Sequence, residues 1–307
     1  MSSEAMAKAL VLIVVAALAS GAAGWQKRAP MPSPRSEVAA APFQGAVALL
    51  GGFSPGRTSK RADLYLPKRN RWRALPDMPV ASNHAMAASA GGKLYVAGGY
   101  GGTQPFLRTT FVFDGKRWRR LAPMPQGRGA GAAAIVDGKL YVVGGVAPTG
   151  LAETAFVLDL ATGTWSTIAG PSPREHLAAM AAGGRVYALG GRLGGVDSNL
   201  ATFEAYTPAT GRWDALPPIP EARGGAGLAL ADGLLVSVGG EGPNNTTIGT
   251  VYGYDLAAGS WRRLPDLPTP RHGLAVVGIR GKVYAIGGSP IADLGFSTAN
   301  EVLDPTP

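Results

Sequence analysis

RGAGAAAIVDGKLYVVGG, residues 128–145, decides the fold of this chain. An arginine leads a run of small and apolar residues, Asp137-Gly138 supplies a two-residue turn, and KLYVV (139–143) alternates before two glycines end it. Asp-Gly between apolar runs signals a tight hairpin, because both central residues of such a turn need positive φ. Working outward, TAFVLD (154–159) reads as a third strand, LATG (160–163) as a turn and TWSTIAG (164–170) as a fourth strand led by Trp165.

The same grammar recurs along the chain. Gly-Gly pairs begin at Gly51, Gly98, Gly144, Gly190, Gly239 and Gly287, at spacings of 47, 46, 46, 49 and 48 residues. All six tryptophans (25, 72, 118, 165, 213, 261) share that period. A third lattice, Arg35, Ser82, Arg128, Arg174, Arg223 and Arg271, stands 16 residues before each first glycine. Three locked lattices of four-strand units predict an all-β fold, a six-bladed propeller with four antiparallel strands per blade. The last unit stops after its third strand, NEVLD (300–304), while WQKRAPMP (25–32) supplies a Trp strand with nothing before it. The N-terminal strand is therefore expected to complete the C-terminal blade and leave no open edge.

The segments GGKLYVAGG (91–99), LDLATGTW (158–165) and YDLAAGSWRRLPDLPTPR (254–271) resemble the kelch-repeat family, and the resemblance covers nearly all of the chain after residue 24. Departures are local: Ala48 and Val236 stand where four repeats have Tyr, and Ser82 where five have Arg. The family resemblance implies an interaction module, in which the repeat's arginine braces a turn or contacts the carboxylates of acidic peptides.

Composition narrows the function classes. Net charge is +9 and there are no cysteines, so disulfides, thiol catalysis and a galactose-oxidase-type Cys–Tyr cofactor are excluded. The arginines recur singly, without the basic run that tracks a phosphate backbone, and nucleic acid is not an expected partner. Lys8 precedes an apolar run, ALVLIVVAALA (9–19), followed by small residues to Gly24. That order matches a secretory signal peptide over residues 1–24, too short for a comfortable membrane span. The expectation is one propeller over 25–307, a periplasmic or secreted monomer.

Alternating strands sort the connections by face. Tight turns share one face; FSPGRTSKR, YGGTQPFLR, VAPTGLAE, RLGGVDSN, EGPNNTTIG and SPIADLGFS share the other and differ in every repeat. Variable loops on a rigid ring mark a binding surface. The innermost strands open on this face with triplets containing all three histidines. The candidate ligand-binding set is Arg35, Ser82, His84, Arg128, Arg174, Glu175, His176, Arg192, Arg223, Glu241, Arg271 and His272, with Glu37 beside it. Five arginines ringing a channel mouth would suit an acidic protein segment or an anionic glycan. The alternative is a mutarotase for a carboxylated sugar such as sialic acid, with Glu37, Glu175, Glu241 or His176 as acid/base. No catalytic motif is present, no cofactor is expected, and histidines on separate blades are expected to be satisfied locally instead of holding a metal.

Overall fold

The computed structural model describes residues 24–102 and 105–305; the expected signal segment lies outside them except for Gly24. Six four-stranded antiparallel sheets are arranged around a central channel. Blade III shows the pattern: Ala132–Val136, Lys139–Val143, Thr154–Asp159 and Trp165–Ala169 from the channel outward. The inner strands of the other blades are Ala39–Phe43, Met86–Ala90, Ala178–Ala182, Gly227–Ala231 and Ala275–Ile279. Their small side chains let six strands converge on one axis. Asp137 and Gly138 have φ of +47° and +72°, as the hairpin turn requires.

Ring closure is as expected. Gln26 and Lys27 pair with Val302 and Glu301, making the N-terminal strand the outermost of blade VI. Arg28 and Met31 extend this pairing through bonds to the carbonyls of Asn300 and Thr298, both 2.8 Å.

The tryptophan lattice is a second closure. Trp72, Trp118, Trp165, Trp213 and Trp261 donate their indole N–H to carbonyls of the preceding blade at Ala29, Pro76, Ala122, Ala169 and Pro217. Trp25 donates to Pro265 and completes the circle. The rings themselves pack on aromatic neighbours such as Tyr65, Phe113 and Tyr206, so each has an apolar body and a satisfied polar tip.

The Gly-Gly pairs form a third closure. The second glycine of each pair donates to the backbone carbonyl of the next blade's arginine position, for example Gly145 to Arg174 at 2.8 Å and Gly288 to Arg35 at 2.9 Å. The first glycine packs on that same carbonyl: a Cβ at Gly98 (φ +61°) would stand 2.3 Å from Arg128 O. Close backbone approach, together with left-handed backbone, is what selects glycine here. Among the described residues no helix is long and apolar enough to cross a membrane.

Candidate functional site

The arginine lattice lies inside the blades, which corrects the expectation that it rings the channel mouth. Arg35, Arg128, Arg174, Arg223 and Arg271 are each 0% exposed. Every one of them donates to the carbonyl of its own blade's first glycine, 16 residues on. Ser82, 3% exposed, keeps that bond through its hydroxyl, 2.9 Å from Gly98 O. Four of the arginines also meet carboxylates: Arg35 with Asp63, Arg174 with Glu204, Arg223 with Glu221 and Arg271 with Glu301. Arg128 instead lies 4.4 Å from the centre of the Phe156 ring. Burial pushes Arg35, Arg128 and Arg223 down to about 10, still charged at neutral pH. These side chains clamp the second and third strands, while their backbone carbonyls receive the preceding blade. The hydrogen bonds they make all go to the frame, while the Nε of Arg35 and of Arg128 is buried without a partner among the described residues.

The mouth is built from three frame positions per blade, one, two and 18 residues after the arginine position. The first and third form a bridge in every blade: Ser36–Phe53, Asn83–Tyr100, Gly129–Val146, Glu175–Arg192, Gly224–Glu241 and His272–Ser289. The second positions, Glu37, His84, Ala130, His176, Gly225 and Gly273, all have φ between +50° and +62°. This left-handed step ends the extended lead-in, so the inner strands begin later than the sequence triplets suggest. It also turns the six amides into a closed ring of backbone hydrogen bonds, each N–H donating to the preceding blade: Glu37 to Gly273, His84 to Glu37, Ala130 to His84, His176 to Ala130, Gly225 to His176 and Gly273 to Gly225.

Around this collar the structure gathers Glu37, His84, Glu175, His176, Arg192, Glu241 and His272. Of the expected site residues, it brings together His84, Glu175, His176, Arg192, Glu241 and His272, and withdraws the five arginines and Ser82. His84 Nε2 lies 3.0 Å from His176 Nε2 and 3.2 Å from Glu37 Oε2. His84 Nδ1 is 2.6 Å from Asn83 Oδ1, and the Asn83 amide nitrogen donates to Thr58 and to Tyr100 O. Arg192 bridges Glu175 (2.9 Å) and Glu241, and its Nη2 reaches His176 Nε2 at 3.3 Å. His272 faces Glu37 at 3.3 Å and Glu241 at 3.2 Å through Nδ1, with Nε2 2.9 Å from Ile291 O.

Burial and charge set the protonation states. Desolvation pushes His84 down to about 4 despite Glu37 beside it. Burial alone would raise Glu37, but His84, a bond from His272 and the charge of His176 outweigh it and hold the carboxyl well below the usual range. Burial would likewise lower His272, yet the bond and charge of Glu37 and the charge of Glu241 raise it. Glu175 is lowered because His176 and Arg192 outweigh its burial. The mouth is thus a balanced network of three carboxylates, three imidazoles and one guanidinium.

Two cavities lie on the axis. A space of about 110 Å³ sits at the collar, lined by Glu37, His84, His176 and the backbone of the ring. A larger one of about 470 Å³ runs down the channel between inner strands and is lined by alanines, valines and methionines without a titratable side chain. Sequence reasoning missed Asn83 and Tyr100, which fix and flank His84. Their signal was positional: both occupy the frame positions that carry Glu175 and Arg192 in blade IV.

A sequence model for the KLHDC2/KLHL20/DRC7 Kelch-repeats domain matches residues 121–288, more than half of the chain, and the Kelch motif matches residues 83–125. The chain belongs to the kelch-repeat family. This kelch chain is similar to Kelch-like protein 35 of Mus musculus, 28% identical over 198 residues that cover 64% of the chain and 33% of the relative. It is 33% identical to Kelch-like protein 33 of Homo sapiens over 92 residues, 30% of the chain and 17% of that protein. Kelch-like protein terF of Aspergillus terreus (strain NIH 2624 / FGSC A1156) is 29% identical over 227 residues, 66% of the chain and 49% of the relative. The matched kelch region is thus at most half of each relative.

Proposed function

We propose that this kelch propeller is a protein-binding module that docks an acidic protein segment on its variable-loop face. One observation carries the reading: of the four large hydrophobic side chains exposed among the described residues, Leu193, Ile291 and Leu294 stand on loops of that face, 55–58% exposed. The blade V loop between them is tied to both neighbours, by Asn244 N–H to Asp197 and Thr247 to Pro290 O. Exposed apolar side chains on a braced loop set suit a protein partner. Arg57 and Lys60 on the blade I loop are exposed and cationic, and the net charge of +9 favours an acidic segment. The mouth cavity of about 110 Å³ is well below the roughly 300–1,000 Å³ typical of pockets that enclose small-molecule ligands. That favours binding over turnover of a carboxylated sugar.

The export reading rests on residues 9–19 and is proposed alongside; N-terminal sequencing of the mature protein, starting between residues 20 and 25, would support it. Arrays of acidic peptides and anionic glycans test the ligand class. Binding to acidic peptides carrying apolar residues supports the proposal; binding to glycans alone overturns it.

A further inference from the structure

We infer that Glu37, His84 and His176 form a binding site for one divalent first-row transition ion at the channel mouth, a site of two imidazoles and one carboxylate drawn from blades I, II and IV. This goes beyond the protein-binding reading and contradicts the expectation that these histidines are satisfied singly.

Asn83 gives its amide N–H groups to Thr58 and Tyr100 O, so its Oδ1 faces His84 and His84 Nδ1 carries the donated proton. His84 Nε2 is then a lone pair. Arg192 can only donate, so its contact with His176 Nε2 makes that nitrogen an acceptor too, and His176 Nδ1–H faces Glu175 Oε2 at 3.3 Å. Two imidazole lone pairs and a carboxylate oxygen therefore converge, and a cation binds all three by taking over the His176 lone pair from Arg192, which keeps its contacts with Glu175 and Glu241.

The geometry fits a metal polyhedron. Ligand atoms about 2.1 Å from one ion are separated by about 3.0 Å at about 90° and about 3.4 Å at the tetrahedral angle; the observed separations, 3.0 Å between the imidazoles and 3.2 Å from His84 to Glu37, fall in that range. All three ligand atoms lie within 4.8 Å of one another, against a limit of about 4.2 Å for donors on one ion, so a small side-chain rotation is enough to close the set. Asn83 orients the His84 ring in the manner of a metal-bound histidine, and Glu175 Oε2 lies 3.3 Å from His176 Nδ1. Two imidazoles and a carboxylate suit zinc, iron, cobalt or nickel and are a poor match for calcium or magnesium. Arg192 lies close, but its charge is taken up by Glu175 and Glu241. The cavity they line, about 110 Å³, leaves room for water on the open coordination positions.

A backbone observation points the same way independently. The collar needs left-handed φ at all six positions, and blades V and VI meet it with Gly225 and Gly273. Blades I, II and IV place Glu37, His84 and His176 there, at φ of +50° to +52°. Larger side chains in such backbone persist where the surroundings over-determine them, and these cluster at functional sites.

The test uses the tag-free full chain, stripped with a chelator and titrated with Zn²⁺, with Co²⁺ absorption as a second readout. The expected result is one equivalent bound and ligand-field bands in the Co²⁺ form. His84→Ala and His176→Ala copy the left-handed Ala130 of blade III and should each weaken Zn²⁺ binding at least ~10-fold. Glu37→Gln, which keeps the side-chain shape, carries the same expectation if either alanine variant fails to fold. Substoichiometric binding to a wild-type chain that unfolds cooperatively overturns the site. So does unchanged affinity in folded His84→Ala or His176→Ala, which would place the ion at His272 or on surface carboxylates. No partner protein enters this measurement, so its failure leaves the docking proposal standing, and the reverse holds.

Discussion

The indole of Trp25 donates to the carbonyl of Pro265 at 2.9 Å, joining residues 240 positions apart in sequence. It repeats, across the point where the chain's ends meet, the bond that the other five tryptophans make between consecutive blades. Ring closure therefore reuses the inter-blade contact and needs no separate device. Trp25→Phe removes the donor and leaves Pro265 O to water, at an expected cost of about 1 kcal/mol. Trp25→Ala also removes packing against blade V and should cost about 2–3 kcal/mol. Chemical denaturation of both variants checks this; equal stability of all three proteins would show that the N-terminal strand does not bear on closure.

The buried arginines differ in what they neutralise, and their substitutions should differ accordingly. Arg271→Met strands Glu301, 2% exposed, without its cation and should cost roughly 3–5 kcal/mol. Arg128 has no carboxylate partner and lies against Phe156, so Arg128→Met leaves no buried charge and should cost less than half as much. Thermal melts of the pair report the order. A reversed order would mean that carbonyl bonds, and not carboxylate pairing, dominate the brace.

Gly98 and Gly92 both have positive φ, +61° and +70°, but only Gly98 faces a neighbour. Gly98→Ala forces a Cβ onto Arg128 O, and the expected loss exceeds about 3 kcal/mol or the protein fails to fold. Gly92→Ala meets open space and should cost about 1 kcal/mol from backbone conformation alone. Comparable losses at the two sites would refute close approach as the reason for the Gly-Gly pairs.

Acid should destabilise the metal-free protein through His84, which faces Glu37, His176, Glu175 and Arg192. Its folded pKa of about 4 lies below the ordinary 6.5, so the unfolded chain takes up the proton first as pH falls. Stability is lost between pH 6.5 and about 4, by up to roughly 3 kcal/mol. Glu37, depressed in the fold, adds to the loss below its ordinary 4.5. His272, raised in the fold, acts oppositely: it stabilises at low pH and that share is lost as pH rises through its folded pKa. Urea titrations in chelator from pH 7 to 4 should show a shallower slope for His84→Asn than for the wild type; identical slopes would contradict the assignment.

The fold was legible because its contacts repeat: a tryptophan, a glycine pair and an arginine at constant intervals record bonds made six times. The arginines also show where reading by residue type goes astray. A guanidinium suggested an anion site, yet the invariant spacing of 16 to Gly51, Gly144 or Gly190 was the mark of a side chain bonded to that glycine's carbonyl. The mouth carried the opposite signal, fixed positions with changing residues, as in Glu37, His84, Ala130 and His176. Contact between His84 and His176 was not legible, because 92 residues separate them and only the collar's left-handed backbone aims both at one point. Loop conformation around Leu193 and Ile291 was likewise invisible, since no repeat constrains it.

The docking claim is tested most directly by affinity for an acidic, apolar peptide selected on the wild-type chain, compared across two surface variants. One carries Leu193→Ser, Ile291→Ser and Leu294→Ser on the variable-loop face; the other carries Lys93→Ser and Lys139→Ser at the tight turns of the opposite face. A Kd weakened at least ~10-fold in the first variant alone is the predicted result. Equal affinity in the first variant and the wild type, or loss confined to the second, would contradict it.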